Sequence, residues 1–144
     1  MIIKILPKQI PVFWDAIKYT AVQVDEVDSK DMQPYLNELL HALLSNKAQC
    51  FVHLTDERIL DVILITRILV DKIKEEKYLS IESIFSWTQQ NGKTWNEGVE
   101  IILRFAKQQG CKYIQGRSRQ ERVKRLVKSL GFIERFTVFD LQLG

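Results

Sequence analysis

Six consecutive residues, Gln89, Gln90, Asn91, Gly92, Lys93 and Thr94, carry the clearest chemical signal in the chain. They stand between a β-branched run that reads as a strand and a periodic run that reads as a helix. A helix start leaves amide N–H groups without intrahelical acceptors, and its dipole favours an anion. Phosphate binds readily at such a place. Gly92 would let the backbone approach a phosphate and take a dihedral that other residues avoid, and Lys93 would add a positive charge. Thr94 and Glu97 also fit a capping box, in which case Gln89 to Gly92 are only a turn. Both readings stand on these residues alone.

Elsewhere the chemistry-bearing residues are sparse. Cys50 and Cys111 are far apart and flanked by apolar strand-like residues, so buried thiols in a reducing compartment are expected. His41 falls in a Leu-rich helical pattern and His53 in a strand pattern, with no ligand spacing between them, so no metal site is expected. Arg117, Arg119, Arg122, Lys124, Arg125 and Lys128 form a basic cluster. The net charge of +3 over 144 residues, with no aromatics interleaved in that cluster, argues against nucleic acid as a partner. The N-terminal stretch lacks a cleavage pattern, and the apolar run VILITRILV is short and interrupted by Arg67, so neither a signal peptide nor a membrane span is expected. A cytoplasmic protein with a single domain over residues 1–144 follows as the expectation.

Period-2 and period-3.6 patterning gives the elements that must position these residues. A strand is expected over 2–6, then a helix opened by Pro11. An acidic connection follows, with Asp25, Glu26, Asp28 and Asp31. A second helix, capped by Ser29 or Asp31, presents Met32, Tyr35, Leu36, Leu39, Leu40, Leu43 and Leu44 at helical spacing. Strands are expected over 49–54, 58–70 and 78–87, then a helix over 95–110 ended by Gly110 in a left-handed cap. A strand over 111–115, a helix over 120–130 ended by Gly131 and a last strand over 132–143 complete the order β-α-α-β-β-β-α-β-α-β. The fold class is α/β (α+β): a mixed, mostly antiparallel central sheet with helices on both faces, and one parallel pair near the C-terminus.

This order, with the polar loop after the fourth strand, resembles the GCN5-related N-acetyltransferase (GNAT) superfamily. In that family the loop reads Gln/Arg-x-x-Gly-x-Gly/Ala and cradles the pyrophosphate of acetyl-CoA. Here it matches at Gln89 and Gly92 and departs at Thr94. Residues 105–111, FAKQQGC, resemble the exit of the family's third helix, and Leu130-Gly131-Phe132 resembles the Leu-Gly-Phe that closes its fourth.

The resemblance implies an N-acetyltransferase that binds acetyl-CoA and acts on an amine of a small molecule or peptide. It implies cofactor contacts from Gln89, Gln90, Asn91, Gly92, Lys93 and Thr94, and from Arg117 and Arg119 beside the cofactor groove. Glu82 holds the position of the family's catalytic base, or else it is a carboxylate paired with a cation across the sheet. Val127 stands where the family has its acid, a Tyr, which leaves Tyr113 as a substitute candidate. The acidic connection would wall the acceptor site or simply cap a helix. The resemblance also leaves open a non-catalytic protein of this fold with a structural or interaction role, as in bacteriophage accessory proteins. The long final segment makes self-association a candidate.

Overall fold

Apolar residues alternate along the middle of the chain and recur at helical spacing on either side of it. The resulting sheet is five-stranded, with helices on both faces. The computed structural model describes residues 1–25, 27–118 and 120–144. In chain order the elements are β1 (Ile2–Lys4), a 3-10 turn (Pro7–Gln9), α1 (Ile10–Asp25), α2 (Ser29–Leu44), β2 (Ala48–Leu54), β3 (Leu60–Val70), β4 (Lys77–Ser86), α3 (Gly92–Gln108), β5 (Tyr113–Gly116) and α4 (Glu121–Ser129). The sheet runs β1-β2-β3-β4-β5, antiparallel throughout except for the parallel β4–β5 pair.

The two faces hold two separate cores. Ala48, Cys50 and Val52 of β2, with Ile63 and Ile65 of β3, pack against Ile10, Ile17 and Ala21 of the α1 segment and Leu39 and Leu43 of α2. Phe51 and Leu79 point the other way and meet Ile102 and Ala106 of α3. Each fully buried Leu or Ile side chain contributes about 1.5–3 kcal/mol, so this double-sided burial is what fixes the strand register. Burial pushes the Cys50 thiol up to about 12 and raises the Cys111 thiol, which is half-buried rather than buried as expected. Among the described residues, no helix is long and apolar enough to cross a membrane.

Three expectations are corrected. The N-cap of α2 is Asp28, not Ser29 or Asp31. Helix α3 starts at Gly92 rather than residue 95, because the Asn91 side chain accepts from Thr94 N–H at 2.9 Å and supplies the cap one turn earlier. The capping role given to Thr94 is therefore Asn91's. The strand expected over 132–143 is not formed. The apolar positions of that segment keep no single parity: Phe132, Phe136 and Val138 are even, whereas Ile133, Phe139, Leu141 and Leu143 are odd. No single face of a sheet could take both sets. The segment leaves α4 through a Phe132 N–H bond to the Val127 carbonyl and a Lys128–Glu134 ion pair of 2.9 Å, and its side chains from Ile133 onward are exposed.

Candidate functional site

The site is built where β4 and β5 separate. Their parallel pairing runs from Tyr78–Tyr113 to Ile81–Gly116 and stops there. Strand β4 continues to Ser86. From Glu82 on, its outer edge therefore carries main-chain N–H and C=O groups with no β5 partner. On its other edge, Ile65 pairs with Ser83 and Thr66 with Ile81, so Glu82 is the extra residue of a β-bulge. A bulge bends its strand and re-aims a side chain. Bulge and fork coincide at one residue.

After a short connection from β4 the chain enters α3. Asn91 uses the Thr94 amide, but the Gly92 and Lys93 amides of the first turn have no intrahelical acceptor. Gly92 is a helical residue, and the positive-φ glycines are Gly110, Gly131 and Gly144. The special dihedral expected at Gly92 is thus not used. What its missing side chain supplies is room, since a Cβ built there meets nothing within 4 Å apart from its chain neighbours and its own helix backbone. An open space over free amides at a helix start accommodates an anionic group, so these residues fit a phosphate-bearing cofactor.

The loop itself is tied down from below. Asp61 is the extra residue of a second bulge, in β3, where His53 pairs with Val62 and Leu54 with Leu60. Its carboxylate is buried. Oδ2 accepts from Gln90 Nε2 at 2.9 Å and from Thr88 Oγ1 at 3.5 Å, and Oδ1 lies 2.6 Å from His53 Nδ1. The Asp61 carbonyl accepts from Trp87 N–H at 2.9 Å.

No protein-family model and no curated protein matches the chain in sequence. Solved structures do match. The aminoglycoside acetyltransferase meta-AAC0020 from an uncultured soil metagenomic sample, solved in complex with sisomicin, superposes with a TM-score of 0.73 at 16% identity, over 100% of this chain and 96% of its own. A ribosomal-protein-alanine N-acetyltransferase from Brucella melitensis biovar Abortus 2308 gives 0.68 at 12% identity, over 99% of both chains. The chain has the acyl-CoA N-acyltransferase-like fold.

Within this acyltransferase-like fold the expected site residues divide. Glu82, Gln89, Gln90, Asn91, Gly92, Lys93 and Thr94 come to the fork and the loop beside it. Glu82 is not a lone carboxylate: Oε1 lies 3.4 Å from Arg67 Nε, and Ser80 Oγ donates to Oε2 at 3.3 Å. Gln90 turns inward to Asp61, and Asn91 caps the helix, so neither side chain is spare for a ligand. Tyr113 is not brought to the fork. It sits at the opposite end of the β4–β5 pairing, stacked on Tyr78 at 4.9 Å, and its hydroxyl donates to Asp71 at 3.2 Å. Burial, then the negative Asp71, raises its pKa.

Arg117 directly follows β5 and is exposed at the mouth of the fork. Arg119 and Glu26 lie outside the described residues. Asp28 stands at the N-cap position of α2 without a capping hydrogen bond from its side chain, and Asp31 lies in the first turn.

Sequence reading missed Asp61 and His53. The signal was a single carboxylate inside the apolar run LDVILI, which has to find partners when buried. Burial by itself would raise the Asp61 pKa, but hydrogen bonds from His53, Gln90 and Thr88 hold it below the ordinary carboxylate range. The sign follows from linkage. A lowered folded pKa contributes stability that is present above the unfolded value of about 3.9 and is lost as pH falls through the folded value. Thermal midpoints scanned between pH 6 and 3 should fall at the acid end, and Asp61→Asn should flatten that fall.

Proposed function

We propose that this chain binds acetyl-CoA at the fork and transfers its acetyl group to an amine. The observation that carries this reading is that the last β4–β5 pair and the Glu82 bulge coincide in an acyltransferase-like fold, and that the unpaired β4 edge leads from there through a short connection to the start of α3. Each feature has a use there. The Gly92 and Lys93 amides with the Lys93 charge suit a pyrophosphate, and Arg117, directly after β5, is a second cation for it. The unpaired edge of β4 offers alternating donors and acceptors to an extended, amide-bearing arm, as an added strand would use them.

When bound, acetyl-CoA would supply an activated thioester. For transfer, the amine nitrogen forms a bond to the acetyl carbon and loses a proton, the C–S bond breaks, and the thiolate takes up a proton. Glu82 accepts the amine's proton, directly or through water. Arg67, 3.4 Å away, holds that carboxylate in place on the bulge. The acceptor belongs to the broad class of small-molecule or peptide amines, a reading supported by the aminoglycoside enzyme among the structural neighbours.

A second reading is binding without transfer. It is favoured by the engagement of Glu82 with Arg67, the distance of Tyr113 from the fork, and Val127 at the position of the family's acid. A thermal-shift titration with acetyl-CoA against salt-matched controls tests the shared part. Ligand at a hundredfold excess over Kd should stabilise the fold by about 2.7 kcal/mol, a rise on the order of 10 °C. No rise sinks both readings. A rise without thiol release over a panel of amines leaves the second.

A further inference from the structure

The β4–α3 connection runs from Trp87 to Asn91, and three of its residues bond to a single residue of a different strand. Trp87 N–H donates to the Asp61 carbonyl, and Thr88 and Gln90 donate to its carboxylate. Gln90 Nε2 also reaches Thr88 Oγ1 at 2.8 Å, so the two loop side chains brace one another before they meet Asp61. The Asp61 side chain is only 8% exposed. A carboxylate removed from water this far needs its lone pairs filled, and the loop supplies most of the partners.

The bulge is what makes this reach available. In regular pairing Asp61 would oppose the strand neighbour of His53. As the extra residue between the His53–Val62 and Leu54–Leu60 pairs, its side chain is re-aimed so that it meets His53 and the loop together.

From this geometry we infer that Asp61, held on its far side by His53, is a positioning residue for the phosphate loop. It fixes Thr88 and Gln90 so that Asn91 can cap α3 and the Gly92 and Lys93 amides face outward together. Asp61 touches no ligand and acts through Gln90. Use of the loop for acetyl-CoA rests on the function proposed above, whereas the latch itself is a statement about loop order.

Exchanging the charged partner across the latch tests it. Gln90→Glu sets a second carboxylate against Asp61 and removes the donor, so amide hydrogen exchange at Trp87 and Thr94, whose N–H groups bond to Asp61 and Asn91, should quicken by about tenfold or more. Exchange at Ile63 and Ile65 should stay as it was. Adding Asp61→Asn returns a donor to face the carboxylate introduced at position 90, so the double variant should come back to within about threefold of the parent.

Where the parent binds CoA in a calorimetric titration, affinity should fall in Gln90→Glu and recover in the double variant in step with exchange. Additive losses, or exchange unchanged in Gln90→Glu, overturn the latch. A parent that binds no CoA, but whose loop loosens and recovers as described, keeps the latch and removes the cofactor reading.

Discussion

Replacing Arg67 with methionine should lower the free energy of unfolding by about 2–3 kcal/mol, among the largest losses available from a single polar side chain. Arg67 stands on β3 opposite Ser80 and reaches two carboxylates. Its Nη1 and Nη2 hold Glu38 of α2 in a two-pronged contact of 2.7 and 2.6 Å, and Nε lies 3.4 Å from Glu82. The guanidinium's hydrogen bonds hold Glu38 below the usual carboxylate range, and Glu38 in turn raises Arg67.

Breaking a fully buried pair costs about 3–5 kcal/mol, roughly what an orphaned charge demands. Here the Arg67 and Glu82 side chains are 20% and 23% exposed and Glu38 is 58% exposed, so solvent recovers part of it. Glu38→Gln should therefore cost under about 1 kcal/mol, as open surface pairs do. The two halves separate in urea denaturation: Arg67→Met with Glu82→Gln should be less damaging than the sum of the single changes, because the orphaned carboxylate is gone. Equal losses for Arg67→Met and Glu38→Gln would mean that Glu82 is well solvated and that the bulge owes nothing to Arg67.

The parts of the molecule legible in the sequence are those where one physical pattern dominates. Of the expected α2 stripe, Leu36, Leu39 and Leu43 are buried as their spacing required, whereas Leu44 at its end is exposed. Gly110 and Gly131 do adopt positive φ at the ends of α3 and α4. The loop before α3 was found, but its end was misplaced, because Asn91 and Thr94 are both good caps and Gly92 is a poor helix former. Nothing local decides between two such caps.

The fork was beyond reach for a different reason. The β4–β5 pairing ends next to the Glu82 bulge, and both are features of strand pairs that a single run of residues does not display. Asp61 and His53 stand on different strands, and only the register brings them within 2.6 Å. The final segment misled because stretches of it alternate, whereas over its whole length the apolar residues fall on both parities.

Gly92→Trp should leave stability nearly unchanged and weaken acetyl-CoA binding by about a hundredfold, close to 2.7 kcal/mol. The two effects part because of where Gly92 stands. Its backbone is already helical, so a side chain introduces no strain, and a Cβ there meets nothing within 4 Å apart from its chain neighbours and its own helix backbone. Loss of glycine's unfolded-state freedom adds a stabilising increment of about 0.4–1 kcal/mol for alanine at such a site. Gly92→Ala should therefore melt slightly higher than the parent while still crowding the first-turn amides.

An indole at the same position covers those amides and obstructs an anion's approach to them. Thermal midpoints report the first effect, and calorimetric titration with acetyl-CoA reports the second. The decisive comparison is within Gly92→Trp: a folded protein that no longer binds places the anion at the α3 start, because no contact inside the protein was lost. Undiminished affinity in that variant would mean that acetyl-CoA, if bound at all, is held elsewhere, and the free amides of Gly92 and Lys93 would be no more than an ordinary helix end facing water.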